Sequence, residues 1–143
     1  MNNVRSPFHT AVVPSAAAGP VFLLSTAAAS AYSLVPQPIE VPPEYLFAFL
    51  AALVPAFVVG FVLSFMLNAI GTKLLWAAGE VSALAREPIV WIATGAAAGL
   101  LLAILFGAFP GSGVASFALV STSALCAGLC RAQTRWETDR VHA

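Results

Sequence analysis

From Tyr45 to Ile70 the chain runs without a charged side chain. As one helix that stretch would be about 39 Å long at ~1.5 Å per residue. The hydrocarbon core of a bilayer is only about 30 Å thick. A helix that is apolar on every side must be buried in a large protein or in lipid, and 143 residues supply too little protein to enclose it. Composition points the same way. The chain is 60% hydrophobic and 8% charged, against about 25% charged in an ordinary soluble domain, so it cannot build a polar shell. The expected fold class is an all-α integral membrane protein, and its solvent is the bilayer.

Four windows are long and apolar enough to cross: residues 15–35, 45–70, 89–109 and 114–130. The fourth, at about 26 Å, is near the lower limit for a span. The first is rich in Ala and Ser and contains Gly19-Pro20. Between them lie a Pro-rich loop at 36–44, a longer loop at 71–88 and a PGSG turn at 110–113, where Ser112 can cap the fourth span. Residues 1–14 and 131–143 form tails, and the whole is expected to be a single membrane domain. All basic residues (Arg5, Lys73, Arg86, Arg131, Arg135 and Arg140) then fall on one side. By the positive-inside rule both termini and the 71–88 loop are cytoplasmic. The expected location is a bacterial inner membrane or its equivalent. Tyr32 and Tyr45 fall at the outer boundary, Trp76 and Trp91 at the inner one, and Trp136 in the tail, as amphipathic rings favour.

Two parts of this frame have alternatives. Arg5, a short apolar run and Ala29-Ser30-Ala31 also resemble a secretory signal with its cleavage site, although Pro14 and Pro20 interrupt the run. In the 71–88 loop, Leu74, Ala78, Val81 and Ala85 recur at helical spacing. They fit either a short interfacial helix anchored by Trp76 or a continuation of the second span. AVVPSAAAG (11–19) and ALVPAFVVG (52–60) share A-x-V-P-x-x-x-x-G in oppositely directed spans. Inverted repeats occur in transporters, but in a chain this rich in Ala and Val chance accounts for the match.

The second span carries a regular stripe of small or polar residues: Ala48, Ala52, Ala56, Gly60, Ser64, Asn68 and Thr72. Leu53, Phe57, Phe61 and Phe65 follow the same period on another face. The third span repeats the device with Gly95, Gly99, Ala103 and Gly107, and the fourth offers Ser112, Ser116, Ala124 and Gly128. Lipid is as apolar as leucine, so membrane helices associate where small residues let backbones approach. Spans two and three are expected to pack along these stripes, with the phenylalanines facing lipid or a partner subunit. What the Ala48–Thr72 stripe faces is open between span three, a partner protein and water. Pro55 is expected to kink span two.

Chemistry has few candidates. No ionisable Asp, Glu, Lys, Arg or His lies in the four windows, which argues against proton relays and haem or metal held by membrane histidines. Ser64 and Asn68 could line a polar path, but hydrogen bonding to another helix is the favoured role. Cys126 and Cys130 lie one helical turn apart and are expected to be packing residues, since two ligands are too few for a structural zinc site. No catalytic set, cofactor motif or nucleic-acid footprint appears, and the net charge is zero. The chain is therefore expected to be a non-enzymatic accessory or structural subunit, partnered by lipid and by other membrane subunits or itself. The rival expectation is a small oligomeric channel, neutral-solute carrier or holin-like pore.

Overall fold

The computed structural model describes residues 7–33, 42–106 and 113–134. Regular structure among them is entirely helical: α1 (Pro7–Ser33), α2 (Pro43–Val81), α3 (Pro88–Leu105) and α4 (Gly113–Gln133), with a single 3-10 turn at Ala83–Arg86. All four α-helices are long and apolar enough to cross a membrane. Gly107, Ser112, the loop 34–41 and the tail with Trp136, Arg135 and Arg140 lie outside the described residues.

Proline sets two of the helix starts. Pro43 and Pro88 occupy the first turns of α2 and α3, where a missing N–H costs nothing. The preceding residues, Pro42 and Glu87, are extended at ψ 145° and 133°, the conformation a following proline enforces. Pro14, Pro20 and Pro55 lie inside continuous helices. Membrane helices tolerate this because neighbouring helices and polar side chains meet the freed carbonyls. Helix α1 therefore begins eight residues before the expected span, at Pro7. Residues 71–81 are not a separate interfacial helix: α2 continues through them to Val81 and ends where Ser82 turns extended. Leu74, Leu75, Ala77 and Ala78 are strong helix formers, and no residue there breaks the helix.

The helices lie in the order α2–α1–α4–α3, each packed on the next. The two most apolar helices, α2 and α3, are on the outside, and the two least apolar, α1 and α4, are in the middle. Bilayer physics gives this sorting, because Ala, Ser and Thr gain most from helix contact and Leu and Phe gain nothing by leaving lipid. The backbones of α2 and α3 stay apart, although the two are consecutive in sequence. From Ala56 to Asn68 the stripe on α2 thus packs on α1, which was none of the three alternatives, and the stripe on α3 faces α4 rather than α2.

Both contacts are made through glycine. A methyl group at Gly60 would lie 2.5 Å from Gly19 Cα, and one at Gly19 would strike the Ala56 carbonyl. On the other side, a methyl at Gly95 would lie 2.5 Å from Ser123 O, and one at Gly99 2.7 Å from Leu119 O. The glycines that close the two A-x-V-P-x-x-x-x-G segments are the pair that meet at the α1–α2 crossing. Trp91, in the first turn of α3, is fully buried inside the bundle. It stands in four-residue register with Gly95, Gly99 and Ala103, packs with Leu75, Trp76 and Cys130, and donates from Nε1 to Ala85 O at 2.9 Å.

One end of the molecule is basic. Arg131 Nε donates to Arg86 O at 2.5 Å, and Arg86 Nε donates to Gly79 O at 2.7 Å. These bonds tie the 3-10 turn to α2 and α4. Tyr32 and Tyr45 are exposed at the opposite end, at the last turn of α1 and the first of α2.

Candidate functional site

Because the backbones of α2 and α3 stay apart, and only side chains at the Trp91 end bridge them, a cleft of about 280 Å³ lies between them with α4 as its floor. Ser64, Asn68 and Thr72 line it from α2, Thr94 and Gly95 from α3, and Thr122, Ser123, Cys126 and Cys130 from α4. Trp91 and Leu75 line it at the basic end, and the exposed Leu67 and Leu101 stand at its mouth. No lining residue carries a charge.

Most polar groups near the cleft are engaged. Asn68 Nδ2 donates to Ser15 Oγ at 3.1 Å, and Ser64 Oγ donates to Ser15 O at 3.4 Å. Ser15 is fully buried on α1, so these two stripe residues clamp α1 against α2. The Cys126 thiol donates to Pro14 O at 3.4 Å and lies beside Asn68. It thereby joins α4 to the same level of α1. Thr94 and Ser121 turn their hydroxyls back onto the carbonyls of Val90 and Phe117 in their own helices, a common way to satisfy a hydroxyl in lipid.

Two groups differ. Thr72 Oγ1 and Thr122 Oγ1 are buried with no hydrogen-bond partner. Thr122 has only 9% of its surface exposed and Thr72 3%. The Cys130 thiol lies within hydrogen-bonding reach of the Thr72 side chain.

The chain matches no protein-family model, no curated protein and no solved structure.

Of the residues singled out in sequence, Ala56 and Gly60 lie at the α1 contact, and Ser64 and Asn68 hydrogen-bond across it. Gly95 and Gly99 lie at the α4 contact, and Ala103 is fully buried in the same register. Ala52 is half-buried, while Ala48 and Pro55 are exposed. Phe57, Phe61 and Phe65 stack along α2 with centroids 6.4 and 5.6 Å apart. On α4, Cys126 and Cys130, read as packing residues, are buried, and the residues missed are Ala118 and Thr122, buried in the same register. Their four-residue spacing was visible, but the neighbouring Ser116–Ala124–Gly128 register resembled the glycine stripes more closely. Ser116 is buried, and Ala124 and Gly128 are half-buried. Among the described residues, no three His, Cys, Asp or Glu side chains are grouped to hold a metal ion.

Proposed function

We propose that this protein is a non-enzymatic accessory subunit that packs against other membrane proteins. The membrane is a bacterial inner membrane or its equivalent, with the basic end and both termini cytoplasmic. One observation carries this reading: α2 stands above α4 and the described part of α3, with only α1 packed beside it to nearly its full height, and keeps an apolar face exposed there. Asn68 stands level with Cys126. From that level α4 ends at Gly113 and α2 at Pro43, so α2 rises roughly 18 Å further along its axis. The described part of α3 is level with α4, because Gly99 sits on Leu119 and each helix runs only six residues further. Beyond them α2 presents Leu46, Phe47, Leu50 and Val54, each at least 52% exposed.

Tilt can bring part of this surface into lipid. A neighbouring membrane protein of matching height covers the rest, because apolar surface left in water costs about 25 cal/mol per Å². The permeation alternative has less support. Its working residues would be Ser64 and Asn68, and both are engaged with Ser15. The test is extraction in mild detergent at native expression, native-gel separation and mass spectrometry of the co-migrating proteins. A defined membrane partner in a complex larger than the chain is expected. A stable monomer with no recovered neighbour would refute the reading.

A further inference from the structure

We propose that the corner joining α2 to α3, from Val81 to Ile89, docks into the headgroup layer of the bilayer, with Val81, Leu84 and Ile89 as its apolar anchors. This goes beyond the subunit reading and does not depend on it. The corner is built the reverse way from a loop that faces water. Its backbone is served from inside the protein. Arg86 Nε donates to Gly79 O, Trp91 Nε1 to Ala85 O and Arg131 Nε to Arg86 O. The backbone N–H groups of Ser82, Ala85, Glu87 and Val90 all reach nearby carbonyls. Its apolar side chains, by contrast, are uncovered: Val81 is 91%, Leu84 71% and Ile89 74% exposed. Non-helical backbone lies at membrane depth only where the protein satisfies it, and this corner meets that condition without water.

Helix lengths set the depth. The described α3, with 18 residues, is about 27 Å long against a hydrocarbon core of about 30 Å. A helix with no length to spare crosses only if its first turn, with Ile89, starts at the hydrocarbon edge. Helix α4 agrees, since it carries no charge before Arg131, whose guanidinium is fixed to the Arg86 carbonyl. Leu75 and Trp76 pack on Trp91, so Val81 lies about 5 Å further out than Ile89 along the helix axes. Each headgroup layer is about 5–7 Å deep, and Val81 falls within it. Leu67, Ile70, Leu74 and Val81 follow one another down one exposed face of α2, so the lipid that covers the first three continues to the last. The exposed Glu80 and Glu87 keep their hydration in the headgroup layer and stop the corner from sinking deeper. Lys73, exposed one turn further in, snorkels its ammonium outward along α2.

The experiment uses the full chain in phospholipid nanodiscs, with a nitroxide on Val81→Cys, Leu84→Cys or Ile89→Cys, one per sample. The wild-type chain, whose Cys126 and Cys130 are buried, measures background labelling. Collision rates are read with oxygen, which favours lipid, and with a neutral nickel chelate, which favours water. Phospholipids carrying the nitroxide on the headgroup or on the upper acyl chain calibrate the depth. All three positions should fall between those standards, with Ile89 about 5 Å deeper than Val81. Each position is read on its own, so a variant that fails to accumulate leaves the other two to decide. Nickel collisions at Val81 and Leu84 more frequent than those of the headgroup-labelled lipid would put the corner in water and overturn the proposal. Low collision rates with both reagents would show protein covering the patch, and would overturn it as well.

Discussion

Replacing Gly60 with alanine tests the α1–α2 crossing on which the helix order depends. The added methyl would lie 2.5 Å from Gly19 Cα and 2.6 Å from Gly19 N. Carbon atoms settle at about 3.5–4.0 Å, so α1 must retreat by roughly 1 Å. Both obstacles are backbone atoms, and no rotamer change removes them. A retreat of that size breaks Ser64 Oγ to Ser15 O, already at 3.4 Å, and stretches Asn68 to Ser15 beyond 3.1 Å. Overpacking costs about 1–3 kcal/mol, and each interhelical bond about 0.6 kcal/mol. The expected loss is about 2–4 kcal/mol before helix propensity is counted. Alanine recovers up to about 1 kcal/mol as the better helix former. Gly71→Ala is the internal control, since nothing lies within 4 Å of a methyl at that position of the same helix. Unfolding both variants in mixed micelles of increasing SDS fraction cancels the propensity term. Gly60→Ala should be less stable than Gly71→Ala by about 2–4 kcal/mol. A difference below about 0.5 kcal/mol would refute the close crossing.

Other substitutions probe other joints. Gly99→Leu drives a side chain into Leu119 O and Val120 Cα, 2.7 and 2.9 Å from its first carbon, and should abolish accumulation of folded protein on size exclusion. Asn68→Ala removes a hydrogen bond to Ser15 and should cost only about 0.6–1.7 kcal/mol. A change in membrane flux instead would revive the permeation alternative. Arg131→Gln should speed proteolysis between Ser82 and Glu87, because it releases the Arg86 carbonyl. Intact mass of the mature protein should include α1, whose Ser15 is buried against Asn68. A mass beginning at Tyr32 would show that α1 is a removed signal.

The helices were legible in sequence because charge is excluded from lipid, and the uncharged windows at 45–70 and 89–109 leave no other reading. Their neighbours were not. Four-residue spacing shows that Gly60 and Gly99 sit on smooth faces, but period alone cannot say which helix meets a face. The most apolar windows drew attention, and α1 looked weak because it holds Ala, Ser and two prolines. In a bilayer that composition marks a central helix, and Ser15 and Ala18 are indeed buried. Trp91 was read by residue type as an interfacial anchor. Its register with Gly95, Gly99 and Ala103 was the better guide. The enclosed hydroxyls of Thr72 and Thr122 had no sequence signature. They depend on side-chain direction and on a gap between two helices that chain order suggested would touch.

Photocrosslinking tests the central functional claim most directly. A photoreactive amino acid is placed singly at Phe47, Leu50 or Val54 on the uncovered upper part of α2, and at Leu105 on α3 for comparison, at native expression. The subunit reading predicts that the three α2 positions capture one and the same membrane protein, and that Leu105 does not. Crosslinks to lipid alone from every position would contradict it.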